Sequence, residues 1–143
     1  MGKATVYRSF PSKGHLMAAV AIERLEWMAD LAHAALADED AAHAVERVFA
    51  DILEHQAGDL AVAGSLAAAD ELPEVESAAA TLTAAFDALI ARGRLEGALR
   101  DDASHEEIAL LMGGAARMLR EQGERDPDVW RRYGKLVAAA LRA

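Results

Sequence analysis

The chain contains no cysteine, which excludes disulfides, thiolate metal sites and a thiol nucleophile. It also has no run of about 18 uninterrupted apolar residues and no signal-like apolar stretch near its start. That pattern reads as a soluble, cytoplasmic protein without membrane contact. Segments of alternating Val, Ile, Thr and Tyr are missing too, which argues against strands. Basic side chains are in the minority, 15 Lys and Arg against 24 Asp and Glu, for a formal net charge of -9. Phosphate attraction needs clustered cations, so this balance argues against non-specific nucleic-acid binding by the surface as a whole.

What is present is helical periodicity on a chain of single-domain size. A chain of 143 residues buries roughly 70% of its unfolded surface, enough for one sizeable core. Apolar residues make up 53% of it, with alanine the main type and few aromatics, so helices can approach closely around methyl and leucyl groups. The expected fold is all-α. Lys3 to Ser9 forms a short helix stopped by Pro11, and Ser12 caps a long helix to about Leu36, roughly 36 Å in length. In it Leu16, Val20, Trp27 and Leu31 make one apolar row and Met17, Ala21, Leu25 and Met28 the next, with Glu23, Arg24, Glu26 and Asp30 facing water. The acidic Asp38-Glu39-Asp40 segment suits the start of a helix with Val45, Val48, Phe49, Ile52 and Leu53 inside, ending near Gly58. Asp59 is placed to cap a short helix that ends before the Leu72-Pro73 turn. From Glu74 apolar residues recur at Val75, Ala79, Leu82, Phe86, Leu89 and Ile90, with Gly93 as the stop. Ser104 and Glu107 stand at capping-box spacing before Ile108, Leu111, Met112, Ala115 and Leu119, and Gly123 ends that helix. Asp126-Pro127 opens the last one, with Trp130, Tyr133, Val137, Ala140 and Leu141 on its inner face.

Charge is unevenly spread. Up to Ile22 the only formally charged side chains are Lys3, Arg8 and Lys13. The same end carries the most specific motif, Gly2-Lys3-Ala4-Thr5-Val6-Tyr7-Arg8-Ser9-Phe10-Pro11-Ser12-Lys13 followed by Leu16. It closely resembles the end of the helix-turn-helix in tetracycline-repressor-type (TetR-family) transcriptional regulators, where a recognition helix reading Thr-apolar-Tyr-x-x-Phe precedes a turn, a lysine and a long connecting helix. A small helix with Lys3 and Thr5 at its N-terminal end can enter a major groove, while Tyr7 and Lys13 can hold flanking phosphates. The resemblance also implies two earlier helices that support the recognition helix, and these are missing ahead of Gly2. The expectation is therefore an N-terminally truncated regulator: residues 1–12 are a remnant of the DNA-binding domain, and residues 13–143 form the ligand-binding and dimerisation domain. Operator DNA is then a partner only when the missing helices are restored.

Beyond Met17 the resemblance is one of helix order, a Gly-Arg-Leu segment and an Asp-Pro cap before the final helix. It implies a homodimer built on the last two helices and a small-molecule effector bound among the preceding ones. Candidate interface residues are Gly113, Gly114 and Ala115, which permit close approach, with Trp130, Tyr133, Val137 and Ala140. Candidate effector contacts are Trp27, Phe49, Leu53, Phe86 and Met112, with Arg117 as the polar one, implying a largely apolar ligand. The histidines at 15, 33, 43, 55 and 105 make no i, i+4 pair of the zincin type, so no metal or other cofactor is expected. No nucleophile elbow, phosphate loop or dinucleotide fingerprint points to an enzyme. The alternative at this stage is a helical module that binds a small molecule or a partner and never touches DNA.

Overall fold

A computed structural model describes residues 12–59 and 72–143. The short helix expected over 3–9 and most of the one expected between Asp59 and Leu72 lie outside the described residues. Those that are described form five helices: α1 Lys13–Ala35, α2 Ala41–Gln56, α3 Pro73–Leu95, α4 His105–Glu121 and α5 Pro127–Ala140. The all-α expectation holds. No helix described is long and apolar enough to cross a membrane.

Each N-terminus is set by local chemistry. Four side-chain oxygens accept from backbone N–H groups that the first helical turn leaves unpaired: Ser12 from His15 at 3.2 Å, Asp40 from Ala42 at 2.9 Å, Ser104 from Glu107 at 3.1 Å and Asp126 from Asp128 at 3.0 Å. α3 instead starts on Pro73, with Glu74 and Glu76 complementing the dipole. Ahead of α2, the Asp38 carboxylate accepts from the Asp40 N–H at 3.1 Å and meets His43 Nδ1 at 2.8 Å. The backbone bond and then the His43 bond hold its pKa below the usual aspartate value.

The main core is built from α2, α5 and the adjoining parts of α1, α3 and α4, with Phe49, Leu53, Leu89, Leu99, Trp130 and Leu141 almost fully enclosed. A smaller cluster of Ala18, Ala21, Leu25, Val75 and Ala78 joins the first half of α1 to the start of α3. The stripe that α1 buries is Ala18, Ala21, Leu25, Ala29, Ala32 and Ala35, and the larger Leu16, Val20, Trp27, Met28 and Leu31 flank it half-buried. This corrects the two rows read from the sequence. Alanines take the centre because they let α3 lie close, and the bulky side chains pack at the edges of the contact.

Arg24, expected in water, is buried and its Nη1 donates to Asp59 Oδ2 at 2.9 Å. Arg92 of α3 reaches the end of α1, where Nη1 donates to the carbonyls of Ala35 and Leu36 at 3.2 and 3.1 Å and Nη2 to that of Asp38. One guanidinium thus closes the orphan carbonyls of another helix.

Gly93 does not stop α3, which runs on to Leu95; the left-handed residue is Gly97, at φ 72°. A side chain at Gly93 would strike Leu99, 2.7 Å from the position of its Cβ, so small size rather than conformational freedom is what this residue supplies. Leu99 and Arg142 form a bridge, with the Arg100 N–H donating to the Leu141 carbonyl at 2.9 Å. α5 is turned relative to its sequence reading as well. It buries Trp130, Gly134, Val137 and Ala138, while Tyr133 and Ala140 face outward.

Candidate functional site

Four helices leave a cavity of about 210 Å³ between them. Met28 of α1, Ile52 and Gln56 of α2, Leu82 and Phe86 of α3, and His105, Ile108, Ala109 and Met112 of α4 line it. The spacing explains the convergence: Ile52 and Gln56 are one turn apart, as are Leu82 and Phe86, and Ile108 and Met112, so each pair shares a face. The Phe86 ring stacks with Phe49 at 6.4 Å and 7°, and meets the His105 imidazole edge-on at 6.1 Å and 84°. An enclosing apolar wall with a few polar groups is the usual make-up of a small-molecule site.

Two other spaces have a different character. Trp27 stacks on His55 at 4.3 Å beside a cleft of about 250 Å³ lined also by Val20, Glu23, Arg24 and Asp59. A larger groove of about 480 Å³ runs along Ile22, Glu26, Pro73, Glu74, Ser77, Ala78 and Thr81. Glu26, Glu74, Ser77 and Thr81 interrupt its apolar wall, and it lies more open to solvent than the four-helix cavity. Among the described residues no three His, Asp or Glu side chains group as metal ligands.

Of the effector candidates, Phe86 and Met112 lie on the wall of the apolar cavity. Phe49 and Leu53 are core residues enclosed behind it, and Trp27 belongs to the neighbouring cleft. Arg117 is a correction: its side chain is 77% exposed and its Nε donates to Glu121 at 2.8 Å, one turn along α4. The polar residues that do line the cavity, Gln56 and His105, were legible in principle. Gln56 follows Ile52 by four residues, and His105 precedes Ile108 by three and Met112 by seven, the period of one helix face.

Beyond the apolar wall, next to Gln56, lies a polar layer. Arg24 stands four residues before Met28, and Arg120 stands eight after Met112. Arg120 Nη1 donates to Gln56 Oε1 at 3.2 Å, while Arg24 binds Asp59. Burial pushes the Arg24 pKa down, Asp59 offsets part of this, and the nearby Arg120 cation adds to the depression.

The interface candidates separate into two groups. Trp130 is fully enclosed in the chain's own core and Val137 nearly so, which corrects their assignment to a partner-facing seam. Ala115 is half-buried against the same core. Gly113, Gly114, Tyr133 and Ala140 are exposed, and they share the outer face of α4 and α5 with Leu110, Leu111, Met118 and Leu136. For the DNA-contact candidates, Lys3, Thr5 and Tyr7 lie outside the described residues, and Lys13 is the exposed first residue of α1.

Residues 40–143 match the family described as transcriptional regulator SbtR-like, C-terminal domain, of the TetR type. No curated protein matches the chain. The family match spans α2 to α5, which supply most of the core and three of the four walls of the cavity. The chain belongs to the TetR family of transcriptional regulators.

Proposed function

We propose that the protein is a homodimeric, ligand-responsive repressor, with the cavity among α1, α2, α3 and α4 as its effector site. The observation that carries this reading is the course of α1. Its first residue, Lys13, directly follows the segment that resembles a recognition helix and turn, and fifteen residues along, roughly 22 Å, Met28 forms part of the cavity wall. A molecule wedged against Met28 would shift a rigid rod whose other end carries the DNA-reading segment, and closely packed helices respond by moving as bodies.

Dimerisation follows from the outer face of α4 and α5. Leu110 is 75% exposed, Met118 52% and Leu136 48%, with Leu111, Tyr133 and the two glycines beside them. A contiguous apolar face of this kind is a protein contact, and a twofold axis would set it against its own copy. The chain should sediment as a dimer at micromolar concentration. Leu136→Arg should convert it to a monomer with helicity retained, because an unpaired charge in the seam is costly to desolvate. A stable monomer in the unmodified protein would remove the four-helix interface.

Operator binding tests the whole reading. An isolated seven-residue helix is marginal in water, so recognition through Lys3 and Thr5 requires the two supporting helices that the family places before it. Joined to those helices, the dimer should bind a short palindromic operator specifically, and the 143-residue chain should show no specific binding. Tyr7→Phe and Lys13→Ala should weaken binding to all sequences alike, with a shallower salt dependence for Lys13→Ala, because both residues are assigned to phosphates. Equal affinity of the extended dimer for operator and scrambled DNA in a fluorescence titration would sink the repressor reading.

A further inference from the structure

We infer that the cavity is built for a small carboxylate carrying a single aromatic ring, with the ring between Phe86 and Met112 and the carboxylate received by the Gln56 amide and the Arg120 guanidinium. This rests on the reading of the cavity as the effector site and gives that effector a chemical class.

Size comes first. A cavity of about 150 Å³ holds a benzene molecule. The space here is about 210 Å³, room for one ring and a short substituent, and it opens outward beside the exposed Ala109. Its walls suit a ring: Phe86 supplies an aromatic neighbour, Met28 and Met112 supply polarizable thioethers, and Ile52, Leu82 and Ile108 complete an apolar surround.

Gln56 stands at one end of the cavity. Its Oε1 is occupied by Arg120, which fixes the amide orientation and leaves the NH₂ group as the hydrogen-bonding function that Gln56 can offer a ligand. Behind it stand two guanidinium groups, and among the described residues only one carboxylate, Asp59, is bonded to them, through Arg24. Arg120 is half-buried and, among the described residues, has no acidic partner. A cation in such surroundings is best completed by an anion that accepts charge-assisted hydrogen bonds. The chain as a whole carries a net charge of -9, so an excess cation beside its apolar cavity is a local specialisation and not a reflection of composition. Gln56 lines this end of the cavity, and Arg120 reaches it through the hydrogen bond that Gln56 accepts.

The probes are 3-phenylpropionate and its neutral amide, 3-phenylpropanamide, titrated calorimetrically into the intact protein, Arg120→Gln, Arg120→Lys and Ala109→Phe. Ala109 lines the cavity yet is exposed, so a larger side chain there fills space without repacking the core. The expected result is that the acid binds about tenfold tighter than the amide, that Arg120→Gln erases the preference while Arg120→Lys keeps part of it, and that Ala109→Phe weakens both ligands. Equal affinity for acid and amide, both reduced by Ala109→Phe, would overturn the carboxylate assignment and leave the cavity as the effector site. Binding of the acid that ignores Ala109→Phe would mean surface ion pairing and would overturn the assignment too. Failure of both ligands to bind the intact protein at millimolar concentration would remove the ligand class, and an operator-binding dimer indifferent to Ala109→Phe would remove the effector site itself.

Discussion

Trp130→Ala should lower the stability of the folded chain by about 4 kcal/mol, near the middle of the range for emptying a large aromatic site in a core. Trp130 has no exposed surface and is the largest of the fully enclosed side chains. Its indole Nε1 donates to the Glu124 carbonyl at 3.0 Å, so the residue ties the turn before α5 to the core as well as filling it. Alanine would remove both the packing and the donor and leave the Glu124 carbonyl without the indole. For a chain of this size the loss corresponds to a fall in Tm of roughly 10 °C, followed by circular dichroism at fixed protein concentration because the proposed dimerisation would be linked to folding. Trp130→Phe should lose less, about 1–2 kcal/mol, since most of the volume stays. A Trp130→Ala protein of unchanged Tm that had become monomeric would return this residue to the partner interface and contradict the packing described above.

Gly134→Ala should be almost as damaging although it adds a single methyl group. At Gly134 the α5 backbone lies against α2, and a Cβ there would sit 2.4 Å from the Phe49 carbonyl oxygen and 2.6 Å from Ala50 Cα. Both are backbone atoms that no rotamer change can move, so relief requires the two helices to separate. Overpacking of this kind costs up to about 3 kcal/mol and sometimes more. Helix propensity acts in the opposite direction, by about 1 kcal/mol in favour of alanine, and is outweighed. Gly113 and Gly114 are the internal control: a Cβ at either meets nothing within 4 Å in the single chain. Alanine at those positions should leave monomer stability level or slightly raised, and any loss should appear in the association constant. Chemical denaturation of the three variants separates the cases, and a Gly134→Ala protein as stable as the parent would show that α2 and α5 are further apart than described.

The caps were legible in the chain because their physics is local. Ser12, Asp40, Ser104 and Asp126 each accept from a backbone N–H two or three residues away, so the residue type and the following apolar period suffice to place a helix start. The helical class and the inward stripe of α2 were readable for the same reason, with Val45, Val48, Phe49, Ile52 and Leu53 all buried. The resemblance of residues 2–13 pointed to the TetR family from residue order alone, and the family match over 40–143 reaches the same family through other residues.

Which face of α1 and of α5 turns inward was decided only in three dimensions. Both helices have apolar residues on more than one side, so periodicity permits several rotations, and the contact chosen is the one in which small residues admit the neighbour: the alanine stripe of α1 against α3, and Gly134 of α5 against Phe49 and Ala50 of α2. The arginines show the same limit. Arg24 finds Asp59 35 residues along the chain, Arg92 finds the Ala35 carbonyl at a separation of 57, and Arg120 finds Gln56 at 64. A charged residue's burial depends on such distant partners, which no local pattern encodes, because desolvation and its compensation arise only once the helices have packed. The sequence by itself therefore determined the five described helices, their starts and the family, while tertiary packing decided their rotation, the apolar cavity, and the placement of Gln56 at its end with Arg120 bonded to it.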